Sequence, residues 1–215
     1  MRSVTRKQEI KLKHNITEWP KSRLNFWGIP KCANTAVKAA LYEKEYGRPI
    51  SDWRRVHEVR VSRYISRGAA FCNGYENFSV VRHPYGRVAS LYRDFGLRRP
   101  EHVQQRFAVS KRSLKDLDRF LDICIRGSDD TPDTDVHFRS MASFLCTLDG
   151  RLAVGGICDV KDLHLLSAEY GLQVRALNVS DKAEVSLNDN QKEIIQRRYA
   201  KDFELFGYST EEEAT

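Results

Sequence analysis

The sequence has no C-x-x-C pair, and its five cysteines (Cys32, Cys72, Cys124, Cys146, Cys158) are an odd number. A paired-cysteine zinc site and a disulfide framework are therefore not expected, and free thiols suit a reducing compartment. No apolar run approaches the roughly 18 residues that a spanning helix needs. The basic start MRSVTRKQEIKLKHN has no apolar stretch behind it, so no secretory signal or membrane anchor is read and a cytoplasmic location is expected. Internal repeats and low-complexity linkers are also missing, which favours one domain. Basic residues outnumber acidic ones, 36 to 29, giving a net charge of +7 without any long block of one sign. That surplus attracts anions, but its even spread gives no nucleic-acid footprint, and none is expected.

What is present reads as alternating strands and helices. Of 215 residues, 41% are hydrophobic and 30% charged, which suits a globular chain able to bury a core. Leu24 to Ile29 is an apolar strand, and Thr35 to Tyr46 a helix that Gly47 stops. Phe78 to Arg82 is a second strand, broken by His83-Pro84, with Pro84 opening the helix YGRVASLYRDF. Ser113 to Asp116 resembles a capping box, and HFRSMASFLCTL reads as a helix. Leu152 to Ile157 follows as a strand, then a helix from Lys161 to Gly171 and a long one opened by Asn188. Nearly all-apolar strands between helices predict an α/β sheet covered on both faces, whose ligands lie at the carboxyl ends of strands. The expected layout is a basic arm over 1–23, a domain over 24–208 and an acidic tail over 209–215.

Two strand ends carry the chemistry. The first lacks the glycine-rich G-x-x-x-x-G-K-[ST] signature, and its lysine precedes the small residues. A helix N-terminus nevertheless offers unpaired N–H groups to a phosphate or sulfate. Cys32, Ala33, Asn34 and Thr35 are small enough for close backbone approach, Lys31 adds a full charge and Thr35 a hydroxyl donor. At the second strand end Arg82 can fork onto a phosphate. Ser90, eight residues on, sits roughly two helical turns along, where it can donate a second bond. Arg87 and Arg93 are expected to be solvated.

IPKCANTAVKAAL resembles the 5′-phosphosulfate loop of the sulfotransferases, and FSVVRHPYGRVASLYRDF resembles their 3′-phosphate motif. HFRSMASFLC, DGRLAVGGICDVKDL and the tail pattern Tyr-x-x-Asp-Phe-x-x-Phe-Gly-Tyr, ending at Tyr208, are similar to the carbohydrate-sulfotransferase branch. The resemblance, over Leu24 to Tyr208, implies a three-layer P-loop-like fold with a mainly parallel central sheet flanked by helices. It also implies 3′-phosphoadenosine 5′-phosphosulfate (PAPS) as co-substrate, its 3′,5′-bisphosphate (PAP) as product, and a sugar hydroxyl as acceptor. Ala33 stands where many members carry Gly, and the turn is expected to keep a negative φ there. A lysine and backbone amides suffice for a sulfonate, so no metal is expected.

On this reading Lys31 serves the bridging oxygen, while Thr35 and the amides from Ala33 to Ala36 hold the phosphosulfate. Arg82 and Ser90 take the 3′-phosphate. The resemblance points to His57 as the base that takes the acceptor proton, with His137 and Glu58 as alternatives. Arg54, Arg55, Arg98, Arg99, Arg106 and Arg139 could meet an acidic glycan, with FGLRRPEHVQQRFAVSKR as an acceptor-facing insertion. Two other readings stand beside this one: a nucleotide kinase or NTPase with an altered phosphate loop, and a non-catalytic sulfotransferase-like module that binds nucleotide or polyanion.

Overall fold

The computed structural model describes residues 16–175 and 185–211; most of the basic N-terminal stretch and the end of the acidic tail lie outside the described residues. In chain order the first elements are β1 (Ile16–Trp19), β2 (Leu24–Trp27), α1 (Asn34–Tyr46), a 3-10 turn (Trp53–His57), β3 (Arg63–Tyr64), α2 (Arg67–Cys72) and β4 (Glu76–Val81). There follow α3 (Pro84–Leu91), a π-helical continuation (Tyr92–Arg98), α4 (Glu101–Phe107), α5 (Lys111–Leu114), α6 (Leu117–Phe120) and a second π segment (Leu121–Arg126). The chain then forms α7 (Met141–Leu145), β5 (Gly156–Asp159), α8 (Leu165–Tyr170), α9 (Asp189–Arg198) and α10 (Ala200–Phe206).

Two compact units result, one from the described parts of Met1–Val81 and Phe144–Asn178, the other from those of Arg82–Ser143 and Val179–Thr215. The first holds a five-stranded sheet in the order β3-β1-β2-β4-β5. β2, β4 and β5 are parallel, with Phe26 opposite Phe78 and Val80 opposite Cys158. β1 runs antiparallel to both β2 and β3. β1 is thus the one reversed strand of this sheet, the other four running in one direction, and the stretch read as an arm forms a strand from Ile16 onward.

The sequence disguises β1 because two of its four residues are polar. Both are buried: Thr17 accepts from Trp19 Nε1 at 3.1 Å, while Glu18 Oε1 accepts from Asn73 at 2.9 Å and Glu18 Oε2 forms an ion pair with Arg63 at 2.8 Å. The β1–β2 turn is fastened to α1, whose Glu45 carboxylate accepts from the Lys21 and Ser22 amides at 2.8 and 3.1 Å. Trp19, Phe26, Val37, Leu41, Phe78 and Leu166 form the core of this unit. β5 begins at Gly156 rather than Leu152, which instead makes an isolated antiparallel bridge with Cys146.

The second unit is helical around Tyr85, Leu91, Phe120, Phe138, Ile195 and Phe203. Asn188 and Gln191 form the full capping box that opens α9. The box expected at Ser113 is instead two single caps, Ser110 for α5 and Asp116 for α6. The tail pattern has a structural meaning here. Tyr199 donates to the Phe138 carbonyl at 2.9 Å, and buried Asp202 accepts from the amides of Met141 and Ala142 at 2.9 and 2.8 Å. Phe203 stacks edge-on against His83 and Tyr85, and Gly207 closes α10 with φ 66. Among the described residues no helix is long and apolar enough to cross a membrane.

Candidate active site

The chain leaves β2 through Gly28, where the Asn34 side chain lies so close that any Cβ would clash with it. It then turns tightly, with the Cys32 amide donating to the Ile29 carbonyl at 3.2 Å. Cys32 is fully buried, and its amide is spent on this turn. Lys31 and Ala33 both adopt the left-handed conformation, at φ 69 and 52. Ala33 therefore does not keep the negative φ expected of it. A non-glycine residue there stores strain, of the kind that persists where the surroundings fix the backbone for a purpose.

Ala33 is the N-cap of α1, and it supplies no side-chain cap. The first turn, Asn34 to Ala36, also holds no acidic residue. A helix leaves these first amides without internal acceptors, so the start of α1 is a positive terminus suited to an external anion. Ala33, Asn34 and Thr35 are half-buried, whereas Ala36 offers only its main chain.

The 3-10 turn carrying His57 packs on α1. Asp52 caps it by accepting from the Arg54 amide, and fully buried Val56 anchors it. His57 Nε2 then lies 2.9 Å from Thr35 Oγ1. Two residues from separate parts of the sequence are thus joined. Glu58, the alternative beside it, has its carboxylate paired with Arg55 at 3.3 Å. His137, the other alternative, is bonded to Asp135 at 2.7 Å.

In the second unit, Arg82 leaves β4 with its amide 3.5 Å from the Met141 sulfur. His83 caps α3 by accepting from the Tyr85 amide at 3.2 Å, and its other nitrogen meets the Ser209 carbonyl at 2.9 Å. It is a structural histidine. Ser90 is half-buried on α3, and its hydroxyl has no hydrogen-bond partner among the described residues. Arg87 is not solvated as expected. It is 1% exposed and donates to the His137 carbonyl at 3.1 Å, since α3 turns that face into the core.

Most of the arginines proposed for an acidic glycan are already engaged. Arg98 and Arg99 both clamp Asp94, at 2.7 and 2.6 Å. Arg139 is buried and donates to the Thr134 and Pro132 carbonyls. A groove lined by Arg126, Arg197 and Arg198 is likewise self-neutralised by Asp122, Glu193 and Asp130. His102, Asp135 and His137 converge within 4.8 Å of one another, a set that could hold a metal. The Asp135 carboxylate bonds both imidazoles, at 3.2 and 2.7 Å, and these bonds alone account for the convergence. Burial works to raise the Asp135 pKa, but the His137 hydrogen bond and charge outweigh it and hold the group well below the usual carboxylate range.

Sequence reasoning missed Lys38 and Tyr64. Lys38 lies one helical turn beyond Thr35, 1% exposed, with Nζ 3.1 Å from the Tyr64 hydroxyl. Burial lowers its pKa from 10.5 to about 7. Its inward place could have been read from the apolar residues flanking it in TAVKAAL, a stretch with no polar face of its own.

No curated protein and no solved structure gives a match to the chain. A family model described as the sulfotransferase family matches residues 14–154, well over half of the chain and inclusive of both strand-end loops. The chain belongs to the sulfotransferase family.

Proposed function

We propose that the chain transfers a sulfuryl group from PAPS to a hydroxyl acceptor, with a carbohydrate as the acceptor class. The observation that carries this reading is the uncapped, acid-free start of α1 with the Thr35–His57 pair at its edge. An anion-binding terminus and a candidate base stand side by side there. The sheet with its helices is read as the P-loop-like arrangement that the family resemblance implies.

Each residue has a defined task. The amides from Asn34 to Ala36 and the Thr35 hydroxyl hold the phosphosulfate, and Lys31 neutralises charge growing on the bridging oxygen as the sulfur–oxygen bond breaks. His57 Nε2 accepts the proton of the attacking hydroxyl, which keeps a strong nucleophile at sulfur without free alkoxide. Arg82 and Ser90 take the 3′-phosphate, the group that separates PAPS from ATP. Ser90 supports that role because its hydroxyl is not spent on another partner among the described residues. Cys32 keeps the loop small enough for close approach of the phosphosulfate, with its own amide bonded to the Ile29 carbonyl.

Calorimetric titration with PAP against ATP plus Mg²⁺ tests the assignment. PAP should bind more tightly, and Arg82→Ala should remove most of that preference. Equal or tighter binding of ATP would overturn it in favour of a kinase or NTPase. Tight PAP binding without turnover on any hydroxyl acceptor would leave a non-catalytic module.

A further inference from the structure

A lysine amine buried without a carboxylate is costly, and such groups are retained where they do something specific. Among the described residues the only hydrogen-bond partner of Lys38 Nζ is the Tyr64 hydroxyl, at 3.1 Å, and the amine also lies 4.6 Å from the centre of the same ring. The Tyr64 hydroxyl in turn donates to the main-chain carbonyl of His57 at 3.2 Å. A phenol has one proton, which is committed to that carbonyl, so its oxygen receives from Lys38. Burial pushes the Tyr64 phenol up to about 12, which keeps the proton in place. The carbonyl just before that of His57, belonging to Val56, accepts from the buried Ser62 hydroxyl at 2.6 Å. The main chain is therefore fixed on both sides of the His57 Cα, at two consecutive carbonyls, one of them through the Tyr64 hydroxyl that Lys38 meets.

We propose that Lys38 is a positioning residue which, through the Tyr64 hydroxyl, holds the His57 main chain so that the imidazole is aimed at Thr35. Thr35 and Lys38 are three apart on α1 and so share a face, which makes one helix the common ruler for the phosphate loop and the base. The helix sets the hydroxyl that His57 meets through its side chain, and also the amine that reaches its main chain through Tyr64. This inference rests on the reading of His57 as the base, and it adds a residue that touches neither donor nor acceptor.

The test compares Lys38→Met, which keeps length and apolar packing, with Tyr64→Phe and the double variant. Each single variant should lower kcat by about tenfold or more while leaving KM for PAPS within about twofold, because a misaimed base loses rate rather than donor binding. The double variant should lose no more than either single one, since both act along one path. Thermal stability of Lys38→Met should be unchanged or raised, which separates aim from folding. The ¹⁵N resonances of the His57 imidazole should shift in both variants, and Lys38→Arg should restore part of both signals. Unchanged His57 resonances, or single losses that multiply in the double variant, would overturn the proposal. Because the resonance needs no turnover, a wild-type protein without sulfuryl transfer would sink the reading of function while the His57 signal still decides the role of Lys38.

Discussion

His57 Nε2 lies 2.9 Å from Thr35 Oγ1, so a candidate base and a candidate ligand of the donor share one hydrogen bond before any substrate arrives. On the proposed mechanism, a Thr35 hydroxyl turned to a sulfonate oxygen would release the imidazole nitrogen toward the acceptor. His57→Ala should lower kcat by about 10²- to 10⁴-fold, with PAP affinity within about twofold of the parent. Lys31→Ala should also collapse turnover with only a modest loss of PAP binding. Steady-state kinetics beside calorimetry check both, and an undiminished kcat in either variant removes that residue from the mechanism.

Ala33 occupies the left-handed region at φ 52, where a Cβ is penalised and glycine is not. Ala33→Gly should therefore stabilise the fold by about 1 kcal/mol, the relief of strain exceeding the added freedom of the unfolded chain. Urea unfolding gives the sign directly. A destabilised glycine variant would mean that the turn holds its alanine without strain.

The buried amine of Lys38 makes stability depend on pH. Its pKa falls from 10.5 to about 7 on folding, so between those values the unfolded chain holds the extra proton. Stability from this site must then rise as pH climbs from about 7 toward 10.5, and it is lowest below that window. Lys38→Met, which cannot titrate, supplies the reference. Its stability advantage over the parent should shrink steadily between about pH 7 and pH 9 in denaturant titrations, and a constant difference would show that the amine remains charged when buried.

Asp202 accepts from two consecutive amides at the start of α7, those of Met141 and Ala142. Burial raises its pKa, while the charge of Arg87 and the two amides pull the other way. Asp202→Ala would strand both donors and should cost about 2–4 kcal/mol, with Asp202→Asn losing less because one acceptor oxygen survives. Thermal denaturation ranks the pair. Equal stability of parent and alanine variant would show that water satisfies those amides.

The elements that depend on local signals were legible in the sequence. The apolar strands at Leu24 and Phe78, the glycine stops at Gly47 and Gly171 and the Asn188 cap all rest on neighbouring residues, and all are present. β1 was not legible, because Thr17 and Glu18 look exposed until Arg63 and Asn73 arrive from elsewhere in the chain. The fully buried Arg87 was missed for the same reason: its partner is a carbonyl fifty residues on. At the site, the sign of φ at Ala33 could not be read, since composition does not report backbone handedness. The His57–Thr35 contact and the Lys38–Tyr64 bond behind it are tertiary facts that spacing does not report, although the apolar neighbours of Lys38 do mark its inward place.

The unit that bears Arg82 and Ser90 is assembled from two separate stretches of sequence, and the later one closes it: Tyr199 bonds the Phe138 carbonyl and Asp202 the amides of Met141 and Ala142. Contacts between residues so far apart in sequence form only after a long loop has closed, and its entropy has to be met before they contribute. Assembly of the helical unit therefore waits on the meeting of its two stretches.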